Sequence, residues 1–265
     1  MIIDCHTHIT SAKAGTEFDE SLHLEAVEPV DASFVLVSPD DTAEDPNKAV
    51  SEYVTKHKDK MVGFAMVNPT EGPIDSKAVA AITEKLGLKG IVLYCSRAGF
   101  HPAHSRAMRF YELVQELNLP IFFHNVAPSP ASVLEYAQPR LIDDVARDFP
   151  ELKIVIGTMG VPFSEQTLWM VSKHKNVFAD LTIRPGKVWQ VYNLVVSAYE
   201  QGVMDKLIFG SGYPVATSGE CMEALLGFNK LLTEANLPTV PRDTIRNVIK
   251  RNTLELLGIT MPGSS

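Results

Sequence analysis

Eight short, almost continuously apolar runs punctuate the chain, at 2–5, 34–37, 62–67, 90–94, 120–124, 153–157, 177–181 and 207–210. Runs of this length without polar alternation are the pattern of parallel strands buried on both faces. Amphipathic stretches lie between them, near 46–57, 74–86, 105–117, 140–149, 165–174, 186–201 and 219–235. The clearest is 105–117, where Ala107, Phe110, Tyr111, Val114 and Leu117 recur at the spacing of one buried helical stripe. Asn118-Leu119-Pro120 and Phe149-Pro150-Glu151 each close a helical stretch and open the next strand.

Eight alternating units in 265 residues predict an α/β fold of the (β/α)8 barrel type with a parallel eight-stranded sheet. No Gly/Ser-rich linker divides the chain, so residues 1–260 read as one domain, followed by a frayed tail at 261–265. An open doubly wound sheet is the rival, but that fold brings a Gly-rich phosphate turn after its first strand. Here the first strand runs into Asp4-Cys5-His6-Thr7-His8.

Side chains alternate along a strand, so Asp4, His6 and His8 are expected on one side. Two imidazoles so placed can share a metal ion, because short Zn–N bonds need convergent donors. Barrel chemistry sits at the C-terminal strand ends. The polar residues there are Tyr94, Cys95 and Ser96 on strand four, His124 and Asn125 on strand five, and Thr158 on strand six. Strand seven supplies Asp180 and Thr182, and strand eight supplies Ser211 and Tyr213. His124 completes a three-histidine set with His6 and His8. His101 and His104 lie in the loop after strand four, within reach of a ligand, whereas His23, His57 and His174 read as surface residues of helices.

Charge narrows the partners. A net charge of −8 and a pI near 5.5 exclude nucleic acid, which needs clustered Lys and Arg. No apolar run is long enough to span a bilayer, and the N-terminus lacks the basic start and long apolar stretch of a signal peptide. Cys5, Cys95 and Cys221 are odd in number and far apart, which fits a reducing cytoplasm rather than a disulfide framework.

Several segments together resemble the amidohydrolase superfamily. They are Ile3-Asp4-Cys5-His6-Thr7-His8, His124, the stretch from Pro150 to Gly160, Phe209-Gly210-Ser211-Gly212-Tyr213-Pro214 and the closing run from Arg251 to Gly258. Within the superfamily the resemblance is to the group containing aminocarboxymuconate-semialdehyde decarboxylase, hydroxybenzoate-type decarboxylases and pyrone-dicarboxylate lactonase. It implies a divalent metal, usually zinc, on His6, His8 and His124, and a small-molecule substrate. It leaves the oligomeric state open, a homodimer being common in the group. It also implies a histidine where this chain has Thr158 and an aspartate where it has Gly212. Strand four has no lysine or glutamate to bridge a second metal, so a single ion is expected.

The missing groups handle protons and substrate in the family, a service worth about 10²–10⁴-fold in rate for one group. Asp180, near the mouth, is the candidate substitute base, and Asp4, one layer below His6, suits a role behind the ligands. Cys95 is a candidate thiolate ligand or a small buried cysteine. Arg97 and Arg184 share the expected rim and, with His101, Thr158 and Tyr213, are the candidate substrate contacts; an arginine fork matches a carboxylate. The leading expectation is a mononuclear metal-dependent hydrolase or carbon–carbon lyase acting on a small carboxylate or lactone. Its alternative is a catalytically silent barrel that binds a small ligand or partner.

Overall fold

Burial explains the strands directly. In β1 (Ile3–Thr7), β2 (Ala32–Leu36), β3 (Met61–Met66), β4 (Gly90–Leu93), β5 (Ile121–Phe123), β6 (Ile154–Ile156), β7 (Val177–Thr182) and β8 (Leu207–Gly210) every residue but Met66 is buried. Such strands must be covered on both faces, which parallel β/α units achieve. The computed structural model describes residues 1–10, 18–39, 43–124, 130–232 and 237–261. Asn125 and residues 262–265 of the expected tail lie outside these.

All eight strands are parallel and ordered β1 to β8. Closure comes just beyond the strand ends. Thr7 bridges Tyr213 in parallel register, Gly212 N–H donates to His6 O at 2.8 Å, and His8 N–H donates to Tyr213 O at 3.1 Å. The sheet is thus a (β/α)8 barrel, and its seam passes through the His-x-His segment.

Helices α1 (Glu20–Ala26), α2 (Pro46–Lys56), α3 (Ser76–Glu84), α4 (Cys95–Ala98) and α5 (Ser105–Glu116) punctuate the first half. The second half carries α6 (Asp143–Asp148), α7 (Ser164–Lys173), α8 (Val188–Glu200), α9 (Ser218–Leu226), α10 (Arg242–Ile249) and α11 (Thr253–Leu257). Several start on side-chain caps that satisfy otherwise orphaned N–H groups, as Asp19 does for α1 and the Thr217–Glu220 capping box for α9. The stretch at 219–235 reads as one helix in sequence but divides into α9 and a 3₁₀ segment at Phe228–Leu232. Likewise 140–149 divides into a 3₁₀ turn, Pro139–Ile142, and α6.

Close packing in the bore depends on Gly90: a Cβ there would collide with the ring of Phe64. Phe64 in turn lies 5.1 Å from Phe34 and 6.5 Å from Phe122, and Phe122 carries the ring of His6 edge-on at 5.5 Å. This aromatic floor supports the mouth of the barrel. Among the described residues no helix is long and apolar enough to cross a membrane.

Candidate metal centre and ligand cavity

Strict alternation along β1 fails where it matters most. The pairing of β1 with β2 shifts register between Asp4 and Thr7, and such an irregularity re-aims side chains. Asp4 therefore turns away from the imidazole rings. Its carboxylate accepts from Ser211 N–H at 2.9 Å, Ser218 Oγ–H at 2.6 Å and His6 N–H at 3.1 Å. Burial raises its pKa and these hydrogen bonds oppose the rise. Asp4 ties β1 to the segment after β8; it does not stand behind a ligand.

That position belongs to Asp180. Its Oδ2 accepts from His6 Nδ1–H at 2.6 Å and from Thr158 N–H at 3.0 Å, while Thr182 Oγ1–H donates to Oδ1 at 2.5 Å. Fully buried and surrounded by donors, Asp180 holds the His6 ring rather than standing in the open mouth as a base. The physical reason is closure of the barrel, which leaves only β8 between β7 and β1 and so brings Asp180 beside His6 in the bore.

His8 is fixed in the same way, its Nδ1–H donating to Leu36 O at 2.8 Å. With protons on both Nδ1 atoms, His6 and His8 point Nε2 lone pairs at each other across 3.1 Å. His124 brings its Nε2 to 2.8 Å from that of His6. Two lone pairs facing at this distance repel unless a proton or cation lies between them. Burial and the neighbouring His6 push the His8 pKa down to about 3, so the neutral, metal-ready imidazole persists at neutral pH. Among the described residues these three are the group able to hold an ion, their donor atoms lying within 4.8 Å of one another. The donor set fits a divalent metal.

A cavity of about 730 Å³ opens onto the cluster, with Thr158, Thr182, Arg184 and Gly212 in its walls. Arg97, His101, Cys95 and Tyr213 do not line it. Helix α4 begins immediately after β4, which winds Cys95 into the core and leaves Arg97 off the cavity lining. Burial pushes the Cys95 thiol upward, so it is no thiolate. The His101 Nδ1 accepts from Ala103 N–H at 3.0 Å and its ring meets Tyr136. Likewise the Nδ1 of His104 accepts from Arg106 N–H at 3.2 Å, capping α5. Tyr213 faces the ring of His23 at 4.9 Å, on the far side of the β1–β8 seam.

His23 is itself fully buried, its Nδ1 bonded to Tyr53 Oη at 2.7 Å, which corrects its reading as a surface residue. His57 and His174 are partly buried against Glu20 and Asp143. Lys187 and Gln190 escaped the sequence reading although both line the cavity. Their spacing with Leu194 on α8 is the signal that was available, since positions 187, 190 and 194 share a helical face.

The family model described as Amidohydrolase matches residues 3–259. The chain belongs to the amidohydrolase family. Among curated proteins none matches it significantly. Solved structures of the same barrel include a probable 2-pyrone-4,6-dicarboxylic acid hydrolase from Acinetobacter baumannii with citric acid bound. It is 16% identical, covers 97% of this chain and 99% of its own, and has a TM-score of 0.67. A 5-carboxyvanillate decarboxylase from Novosphingobium aromaticivorans, complexed with manganese and 4-hydroxy-3-methoxy-5-nitrobenzoic acid, is 14% identical over 98% of this chain and 96% of its own, with a TM-score of 0.70. A 2,6-dihydroxybenzoate decarboxylase from Rhizobium is 12% identical over 97% and 98%, with a TM-score of 0.68.

Two positions set this amidohydrolase apart from the pattern of the group it resembles. Thr158 has φ 50° and ψ 40°, and Met159 follows with φ 52°, a backbone conformation that costs an ordinary residue about 1–3 kcal/mol. That turn aims Thr158 N–H at Asp180. Gly212 has φ +68°, and a Cβ there would stand 2.6 Å from Thr182 Cγ2. The methyl of Thr182 occupies the space from which a side chain at 212 would start.

Proposed function

We infer that this amidohydrolase is a metal-dependent hydrolase or carbon–carbon lyase for small carboxylate- or lactone-bearing molecules. The observation that carries the reading is the convergence of three Nε2 atoms, two of them with Nδ1 committed to fixed acceptors. His6, His8 and His124 would hold one divalent ion. Imidazoles alone, with no carboxylate among the described residues of the cavity wall, favour zinc over manganese, which prefers oxygen ligands. Bound there, zinc supplies Lewis-acid polarisation of an oxygen-bearing group in the cavity. Asp180 is a positioning residue, fixing the ring and tautomer of His6 as carboxylates behind metal-bound histidines do. Thr158 offers a hydroxyl in the wall, and Arg184 a guanidinium suited to a substrate carboxylate. The decarboxylases and the hydrolase that share this fold act on small carboxylates, which supports the substrate class.

A second reading, a barrel that binds without turnover, is favoured by the Gly212–Thr182 contact, because a carboxylate at 212 has no room. One set of measurements separates the two. Protein purified after growth with zinc and manganese is expected to hold about one ion per chain, and His124→Ala to lose it. Turnover of any member of a lactone and aromatic-carboxylate panel, abolished by His124→Ala, establishes the enzyme. A metal-free wild-type protein overturns the metal reading.

A further inference from the structure

The cavity walls carry a charge and shape pattern that the metal centre does not explain. Arg184 and Lys187, joined in one turn by Lys187 N–H donating to Arg184 O at 2.8 Å, both line it. Neither side chain meets a hydrogen-bonding or ionic partner among the described residues. Other arginines that are partly buried are satisfied: Arg106 by the carbonyls of Pro69 and Gly72, Arg251 by those of Leu207 and Met204. No carboxylate lines the cavity among the described residues. Arg184 is half-buried with no carboxylate facing it among the described residues, and with the exposed Lys187 on the same wall it makes this side of the cavity a place for an anion.

The remaining wall is apolar. Leu134, Ala137, Val161, Pro162, Leu194 and Val215 come from three separate β/α connections and helix α8. Leu134 and Val215 are 60% and 64% exposed, large apolar side chains that no described residue covers. At about 730 Å³ the space is in the upper part of the range for drug-sized ligands, of about 300–1,000 Å³. A compact polycarboxylate would satisfy the cations and leave this wall wet.

We propose that the cavity selects an amphipathic carboxylate, its anionic group on Arg184 and Lys187 and an apolar body larger than a single ring against the wall of Leu134, Val161, Leu194 and Val215. The inference deepens the proposed function and takes from it only that this cavity is the ligand site. Lys187, rather than Arg97, is the second cation of the clamp.

Isothermal titration of the purified full chain, metal-loaded and metal-stripped, tests it with benzoate, biphenyl-4-carboxylate, biphenyl-4-methanol and citrate. Burying the second ring is expected to tighten biphenyl-4-carboxylate over benzoate by about 10–100-fold. Arg184→Gln with Lys187→Gln should weaken biphenyl-4-carboxylate about tenfold or more and leave biphenyl-4-methanol unchanged. Val215→Glu, on an exposed rim position that threatens no core, should weaken the biphenyl acid more than benzoate. Citrate or benzoate binding as tightly as the biphenyl acid overturns the proposal, as does an unchanged affinity in the double variant. Metal content measured on the same samples reports separately on the metal reading, so the two can fail independently.

Discussion

Three histidines on one side of the β1–β8 seam and a single one, His23, on the other differ in what they are built to do, and only the three are built to bind. On the cavity side, His6, His8 and His124 converge their Nε2 atoms, and acceptors behind His6 and His8 fix the tautomers that make this possible. On the other side, His23 sits among the rings of Phe18, Tyr53 and Tyr213, its Nδ1 bonded to Tyr53 and its Nε2 without a hydrogen-bond partner among the described residues. Burial lowers basicity in both places, His8 to about 3 and His23 to about 4. Burial therefore does not distinguish a site from a core. Convergence of lone pairs, enforced from behind, does.

The largest test of that contrast uses pH. His23 stays neutral in the folded chain, whereas the unfolded chain takes up a proton near pH 6.5. The fold therefore binds fewer protons in this window, and stability falls as pH drops from 6.5 towards 4, by about 3 kcal/mol in all. Urea unfolding of metal-stripped protein at pH 7.5 and 4.5 should show this loss, with His8 adding to it. His23→Gln, which can keep the bond to Tyr53, should be markedly less acid-sensitive. Equal acid sensitivity in the variant would remove His23 from the account.

Next in size is Asp180→Asn. Loss of the carboxylate that holds His6 Nδ1–H is expected to lower metal affinity about 10–100-fold, read by competition with a chromophoric chelator. An unchanged affinity would mean that the acceptor behind His6 does not matter, and the contrast with His23 would collapse.

The closed space at 212 comes third. Gly212→Asp should destabilise by about 1–3 kcal/mol through overpacking against Thr182, with Thr182→Ser in the same chain recovering part of the loss. Additive effects in the double-mutant cycle would show that the methyl is not the obstacle. Smallest is Tyr53→Phe. It removes one hydrogen bond to His23 and should cost about 1 kcal/mol of stability with no change in metal affinity. A fall in metal affinity there would join His23 to the three histidines from which the structure separates it.

What was legible in the chain followed from periodicity. Short uninterrupted apolar runs such as the one holding Ile154–Ile156 carry the pattern of strands buried on both faces, and their eightfold alternation with amphipathic stretches such as Ser105–Glu116 points to the barrel as the closure. The His-x-His segment and the strand-five His124 were legible too, because strand ends are fixed by the same pattern. The roles of the carboxylates were not. Asp4 lies two residues from His6 and Asp180 lies 174 away, yet it is Asp180 that holds the ring. A register shift within β1 and the closure that places β7 one strand away from β1 decide this, and neither leaves a mark in the local sequence. Arg97 and Lys187 changed places for a related reason: an immediate helical turn after β4 keeps one off the cavity lining, and the turn that leads into α8 presents the other.

By itself, then, the sequence determined the barrel and the three imidazoles at its mouth, because each depends on residue type at a position that periodicity locates, while the absence of the partners expected at 158 and 212 was read from the resemblance to the amidohydrolase superfamily. Only the tertiary structure decided which carboxylate stands behind His6, that the Thr182 methyl closes the space at Gly212, and which cations face the cavity. Those are distances between strands far apart in the chain, set by closure of the sheet and by packing rather than by any neighbour in sequence.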